Sequence, residues 1–378
     1  MRSLPAFLRF FGHQRLSQFP IMRTNRRSFI RTAALSGVGL SVFSGEVLSW
    51  TGNRPVRLAY LSHSPTNPPT PAANWSDTLF FTSVNDKAFQ QLLQRDDIDA
   101  LVVDVFPAQR TAIALAAMKA GKSIAFTAPV GQTVSEIQTL SQTHAQTGTP
   151  CLLLDNDRFE RNTLAIDNMV AQHQFGNLTH VACGTDSPTN GLGPAAEWLG
   201  INRGNRFVSL NASVSQSWGL HEPTPTGPEP KNGPIVKQYQ LGEVLTINLR
   251  CANGQTLTVS RDLSGKRPHS RGFRVQGTNG LWMEDNDLLT RGDRTDSFAD
   301  VRPPFDHPYW HPNRPKNQPE PNALSELLTA LKTRTIDPDS TRNALTISLV
   351  YAVANLSLVA RNDELDVPDW LGNDSVTA

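Results

Sequence analysis

Few side chains in this sequence combine a reactive type with a spacing that chemistry requires. Asp104 closes the apolar run Asp99–Val105, and a carboxylate at that end of a buried strand is where a parallel sheet presents groups to a ligand. A solvated strand-end aspartate is the alternative reading. Phe106 and Thr127 border the same edge, and together with Asp104 they outline a candidate cleft. Arg203 and Arg206, in Asn202-Arg203-Gly204-Asn205-Arg206, carry planar forks that suit a sugar or a carboxylate, or that hold a turn by hydrogen bonding. His307 and His311 have helical metal-pair spacing, but Pro308 and Pro312 exclude a regular helix there, so no metal site is assigned. Ser213 and Ser215 lack a His/Asp arrangement that would make a nucleophile. Trp198, Trp218 and Trp282 either stack on sugars or pack a core, and packing is preferred.

Bulk properties narrow the function further. The chain has 378 residues and a formal charge of +1, with no long run of one sign. A broad basic face for nucleic acid is not supported. Cys151, Cys183 and Cys251 are far apart and form neither a disulfide framework nor a zinc knuckle, so they read as small buried side chains. The proline-rich stretch from Pro303 to Pro321 reads as a surface loop.

The elements that must position these residues alternate from Val56 onward. Val56–Leu61, Asp99–Val105, Ser123–Thr127 and Cys151–Leu154 are short apolar runs of strand type. Between them, Lys87–Arg95 and Gln109–Ala120 show helical spacing, the second ended by Gly121. Thr133-Val134-Ser135-Glu136 is a capping box that opens a helix running to about Thr147. Such alternation predicts a doubly wound parallel sheet with right-handed crossovers. Later, Phe207–Ser215 alternates as a strand, while Leu245–Cys251 and Thr256–Ser260 flank an Asn-Gly turn. Ser340–Asn362 is a long, largely buried helix.

A sheet of this kind binds a dinucleotide through a glycine-rich turn after its first strand, followed by a helix whose N-terminus takes the pyrophosphate. No glycine lies between Tyr60 and Gly121, and Pro65, Pro68, Pro69 and Pro71 follow the first strand closely. Proline has no amide donor and clashes with a preceding helical turn, so that device is absent. Asp77 is acidic and nearby, but without a preceding strand it makes a weak ribose ligand.

The run from Asp97 to Pro129 (DIDALVVDVFPAQRTAIALAAMKAGKSIAFTAP) resembles the Gfo/Idh/MocA superfamily of sugar oxidoreductases, which reads DAVxxATP…H…AxAAMxAGKHVxxEKP there. Further along, the chain is similar to the NAD-dependent glycosidases of glycoside hydrolase family 109. The likeness is carried by Leu153–Gly176, Pro188–Phe207, Arg267–Asn286, His307-Pro308-Tyr309-Trp310 and Val367-Pro368-Asp369-Trp370. The resemblance implies a Rossmann-like doubly wound parallel sheet followed by an α+β domain with a large open, mainly antiparallel sheet. It also implies NAD(P) as cofactor, a sugar as substrate, and a homo- or hetero-oligomer formed through the C-terminal sheet. The boundaries expected are 1–50 for an export leader, 55–155 for a truncated Rossmann-like domain and 156–370 for the α+β domain.

The departures fall on the chemistry. Thr127-Ala128-Pro129 stands where the superfamily has Glu-Lys-Pro, so Ala128 replaces the ammonium near the nicotinamide. Ser187-Pro188-Thr189-Asn190 replaces a Tyr-Pro-Thr-His run, so Ser187 supplies no phenol and Asn190 does not titrate. The aromatic insert that precedes that run is missing between Cys183 and Ser187. Phe159 and His269 replace two further tyrosines, and Glu320-Pro321-Asn322-Ala323 stands about where His-Gly-Gly-Met-Asp opens a late helix. No catalytic position is intact, and no tightly bound cofactor is expected.

The N-terminus carries an address. Asn25-Arg26-Arg27-Ser28-Phe29-Ile30-Arg31 matches the twin-arginine pattern, followed by a mildly apolar stretch from Thr32 to Phe43 that is too short to span a bilayer. Met22 is the expected true start, cleavage is expected near Ser44, and no following cysteine offers a lipid anchor. The chain therefore reads as an exported, catalytically degenerate relative of these enzymes, periplasmic or extracellular, that binds carbohydrate or a partner chain. An active oxidoreductase or glycosidase with a rearranged site is one alternative, and a structural subunit of a hetero-oligomer is another.

Overall fold

The computed structural model describes residues 56–62, 75–80, 87–127, 129–184, 191–216, 243–262, 270, 272–311, 313 and 320–371. The leader, the cleavage region, the proline-rich segment after the first strand, Ala128, Ser187, Asn190, Trp218 and His269 lie outside the described residues.

The first sheet is parallel throughout. It consists of β1 (Leu58–Ser62), β2 (Trp75–Phe80), β3 (Ala100–Asp104), β4 (Ser123–Phe126) and β5 (Cys151–Leu153), in the order β2-β1-β3-β4-β5. Three helices lie between its strands in the chain: α1 (Lys87–Leu93), α2 (Pro107–Lys119) and α3 (Val134–Thr147). Local chemistry sets their ends. Pro107 opens α2, where a missing amide costs nothing. The Thr133/Glu136 capping box opens α3 as the sequence predicts. Gly121 and Gly148 end the two helices at φ of 71° and 66°, a region that favours glycine.

Because side chains alternate across a strand, each strand feeds both faces. Ala59, Leu61, Leu101, Val103, Ile124 and Phe126 pack with Phe89, Ile113 and Ile137 of the three helices. Right-handed crossovers place these helices on one face. The other face, with Leu58, Tyr60, Ala100, Val102, Ala125 and Leu152, packs against Leu327 and Leu331 from much later in the chain.

The second sheet follows a 3₁₀ turn (Asn156–Phe159) and α4 (Arg161–Ala171). It contains β6 (Leu178–Cys183), β7 (Phe207–Val214), β8 (Val244–Cys251), β9 (Thr256–Asp262), β10 (Arg274–Gly277), β11 (Leu281–Met283), β12 (Leu288–Arg291), β13 (Arg294–Ser297) and β14 (Leu365–Asp366). The order is β13-β12-β11-β10-β6-β9-β8-β7-β14, antiparallel except where β6 meets β9. Helix α5 (Leu192–Trp198) follows β6, and the short α6 (Phe298–Val301) follows β13. The buried face packs Trp198 edge-on against Phe273 at 5.0 Å and Trp282, tilted, against Phe298 at 5.2 Å, so both tryptophans belong to the core and offer no sugar platform. The opposite face is polar: Asn248 donates to Asn211, and Thr258 donates to Asn248. All three cysteines are buried and unpaired, and burial pushes the Cys251 thiol up to about 12.

Two helices complete the fold, α7 (Ala323–Thr333) and α8 (Ser340–Val359). Leu327 and Leu331 of α7 pack on the face of the first sheet that carries Leu58, Tyr60 and Val102. Helix α8 is apolar and long enough to cross a membrane by composition, yet two-thirds of that stretch is buried inside the protein. Its hydroxyls accept backbone amides from both sheets: Thr341 from Cys151, Ser348 from Val130 beyond β4, and Ser357 from Ala212 of β7. One helix thereby satisfies donors in both halves.

Two expectations need correction. Asp77 does lie in a strand, because Trp75–Phe80 pairs with β1 although its polar residues hide the pattern. The stretch from Pro303 is more than a surface loop: two 3₁₀ turns, Pro303–Phe305 and Pro308–Trp310, bury Asp306 and Tyr309.

Candidate functional site

The order of the first sheet reverses between β1 and β3, and ligands of such sheets bind beyond the strand ends at that point. Ser62 and Asp104 are in register there. Asp104 is exposed, and the Tyr60 hydroxyl donates to its Oδ2 at 2.7 Å. Phe106 stands beside it, 58% exposed, at the start of α2.

Below this edge lies a side chain that sequence reasoning passed over. Arg110 is buried in the first turns of α2. It donates from Nε to the Val105 carbonyl at 3.0 Å, and from Nη1 to the carbonyls of Thr127 at 2.9 Å and Pro129 at 3.0 Å. Burial lowers the pKa of its guanidinium, and the Asp104 charge opposes that shift. Arg110 thus ties the ends of β3 and β4 together and brings Asp104, Phe106 and Thr127 onto one edge. Its Nε and Nη1 donors are spent on the protein's own backbone.

Arg203 and Arg206 are elsewhere. They lie in the turn after α5, where Arg203 pairs with Glu197 at 3.2 Å and Asp337 at 3.6 Å, and Arg206 pairs with Asp369 at 3.2 Å. The buried Asn205 organises this turn, donating to the Leu199 carbonyl and accepting the amides of Arg206 and Asn253. His307 and His311 are also engaged locally: His307 Nδ1 accepts the Tyr309 amide, and His311 Nε2 lies 3.2 Å from the Asp306 carbonyl. Among the described residues no group of His, Cys, Asp and Glu is arranged to hold a metal.

A second concavity opens past the end of β5. Its sides are Phe159 and Glu160, Arg161 of α4, Trp310, and Glu320 before α7. Asn156 anchors it by accepting the Ala323 amide at 3.1 Å. Arg161 grips the buried Asp306 with a fork, Nε to Oδ1 at 3.0 Å and Nη2 to Oδ2 at 2.5 Å. The same guanidinium lies over the Trp310 ring at 5.6 Å, and Tyr309 meets that ring edge-on at 4.8 Å. The Trp310 indole nitrogen is buried without an acceptor. A ring held this way, bordered by carboxylates and an amide, suits the mixed apolar and hydroxylated surface of a sugar. Sequence reasoning missed Arg161 and Trp310 as a pair, because the Asp306 that joins them lies 145 residues from Arg161.

A parallel five-stranded sheet joined to a large, mostly antiparallel sheet defines a Rossmann-type two-sheet scaffold. Solved structures agree. Levoglucosan dehydrogenase, in complex with NADH and L-sorbose, superposes with a TM-score of 0.58 at 17% identity, over 83% of this chain and 99% of that one. An oxidoreductase domain protein from Kribbella flavida gives 0.55 at 18% identity, over 78% and 85% of the two chains. The particular family follows from the sequence of the second half. Residues 184–374 match the model of the glycosyl hydrolase 109 C-terminal domain, about half of the chain, and this chain belongs to that family. A family 109 protein of Stenotrophomonas maltophilia (strain K279a) is 28% identical, with 75% of each chain covered. An alpha-N-acetylgalactosaminidase of Tannerella forsythia is 27% identical, over 75% of this chain and 73% of that enzyme.

Proposed function

We propose that this chain is an exported, catalytically reduced member of the family that binds carbohydrate in the Trp310 groove and does not turn it over. The observation that carries this reading is the β1–β2 connection. The two strands are parallel neighbours, yet only residues 63–74 join them, with four prolines and no glycine. That segment lies outside the described residues; its sequence offers no glycine for a tight phosphate turn and four prolines that carry no amide donor. The exposed Asp104 carboxylate, fixed by Tyr60 at the point where the sheet order reverses, adds a like charge to that position. The residues present do not fit NAD(P). Twin-arginine export and association through the polar face of the second sheet complete the proposal.

The test is direct. Purified protein, denatured and read by absorbance, releases no stoichiometric NAD(H), and calorimetry with N-acetylgalactosamine and related monosaccharides gives binding that Trp310→Ala abolishes. Stoichiometric nucleotide, or turnover of an aryl glycoside, would establish the active-enzyme reading instead. Replacing Arg26-Arg27 by a lysine pair is expected to hold the precursor in the cytoplasm, as read by fractionation.

A further inference from the structure

We propose that the cavity between the end of β5, α5, α7 and the start of α8 is a separate binding site for a small primary amine. The cavity holds about 180 Å³ and is walled by Leu154, Ile201, Leu327 and Ile336, so it accepts a short hydrocarbon body. Its polar part is unbalanced. Asp155, Glu197, Glu326 and Asp337 supply four carboxylates, against the two guanidinium groups of Arg158 and Arg203.

The geometry shows where that charge is spent. Glu197 takes both arginines, Arg158 at 2.8 Å on one oxygen and Arg203 at 3.2 Å on the other. Arg203 reaches Asp337 only at 3.6 Å, and Glu326 presents an exposed carboxylate from α7. Gly193 keeps this arrangement compact, because a Cβ there would fall 1.9 Å from Asp155 Oδ2. Behind Glu197, the carboxyl of Asp167 is raised to about 6 by burial and by Glu197, although Arg158 and Arg203 both act to lower it. The Arg158 charge is shared among Glu197, Glu326 and Asp155, and with four carboxylates against two guanidinium groups the lining keeps a formal negative excess.

An anion would enter against that excess, and a neutral alcohol would leave it unrelieved. An ammonium group brings three donors and one positive charge to the Glu326 side while its carbon chain lies on Leu327 and Ile336. The site shares neither the aromatic platform of the Trp310 groove nor the edge at Asp104.

Three probes of equal length separate the alternatives: n-pentylamine, 1-pentanol and pentanoate, titrated calorimetrically into the full chain near neutral pH. The amine is expected to bind, and the alcohol to bind about tenfold more weakly, about 1.4 kcal/mol, the scale of one charge-assisted hydrogen bond. Pentanoate is expected to give no heat. Glu326→Gln should bring the amine down to the level of the alcohol and leave the alcohol unchanged. Ala330→Met, which fills the cavity, should remove both. Absence of amine binding at millimolar concentration, pentanoate binding as tightly as the amine, or a Glu326→Gln protein with undiminished amine affinity would each overturn the assignment. Trp310→Ala is expected to leave amine binding intact, so failure of the carbohydrate reading and failure of this one are told apart.

Discussion

The edge at Asp104 and the groove at Trp310 sit at the same end of one parallel sheet, beyond β3 and beyond β5, and use the same residue types differently. At the first, an arginine is turned inward: Arg110 gives its donors to three backbone carbonyls, and Asp104 accepts from Tyr60. At the second, an arginine is turned toward a ring: the Arg161–Asp306 fork holds Trp310 at the wall of an open groove. The first pattern stabilises strand ends, and the second presents a surface. Similar side chains thus mark a structural place in one case and a recognition place in the other, and the partners of the guanidinium decide which.

The largest expected effect tests the structural side. Arg110→Met keeps bulk but leaves the carbonyls of Val105, Thr127 and Pro129 without their donors at a buried position. A loss of about 3 kcal/mol in urea unfolding is expected, with sugar binding unchanged per folded molecule. If the variant instead lost sugar affinity at full stability, the contrast between the two regions would be reversed. Asp306→Ala tests the other side. Arg161 is partly exposed and can rehydrate, while the mostly buried Arg302, 3.4 Å from Asp306, loses a countercharge but keeps its bond to Asn162, so a stability loss of about 2 kcal/mol is expected; the ring loses its support and sugar binding goes with it. Trp310→Ala should separate the two effects, abolishing binding with little change in stability.

Much of the first sheet was legible in the sequence. Runs such as Ala100–Asp104 are apolar because both faces are covered, and the Thr133/Glu136 box and Gly121 announce helix ends through short-range hydrogen bonding. Strand β2 was not legible, because Trp-Ser-Asp-Thr-Leu-Phe mixes polar and apolar residues without strict alternation. The site was harder to read. Asp104, Phe106 and Thr127 do meet on one edge, but Arg203 and Arg206 join other carboxylates. The residue that organises the edge, Arg110, looks like an ordinary helix arginine until β4 is placed beside it. Pairs such as Arg161–Asp306 depend on chain reversal, which local pattern does not encode.

A pH experiment probes the charge cluster around Glu197, at the cavity between α5 and α7. Asp167 has its pKa raised from 3.8 to about 6, chiefly by burial and then by Glu197. The folded protein therefore keeps a proton that the unfolded chain releases near pH 4. Stability is fully supported below that point and is lost as pH rises from about 4 through 6, by about 1–2 kcal/mol once residual exposure is allowed for. Asp167→Asn should flatten this slope in urea titrations across that window. An unchanged slope would mean that the acid is compensated in the folded state and that the cavity lined by Glu197 and Glu326 carries little excess charge.

The smallest expected effect concerns the helix that the two regions share. Ser348 is fully buried in α8, accepts the Val130 amide at 3.0 Å and donates to its own Ala344 carbonyl at 3.0 Å. Ser348→Ala removes the acceptor but hardly changes volume, so the cost is that of one buried amide left without a partner, about 1–2 kcal/mol. Val130 follows the carbonyls that Arg110 holds, so the loosening should appear on the Asp104 side of the sheet. Hydrogen exchange at Val130 and its neighbours is expected to speed up, while exchange around Trp310 stays as it is. Ser357→Ala, one end of the same helix away, should loosen the Ala212 amide of β7 instead. If both substitutions speeded exchange in both sheets equally, α8 would act as a single rigid strut, and the two regions would have to be treated as one cooperative unit whose difference in side-chain use has no counterpart in local stability.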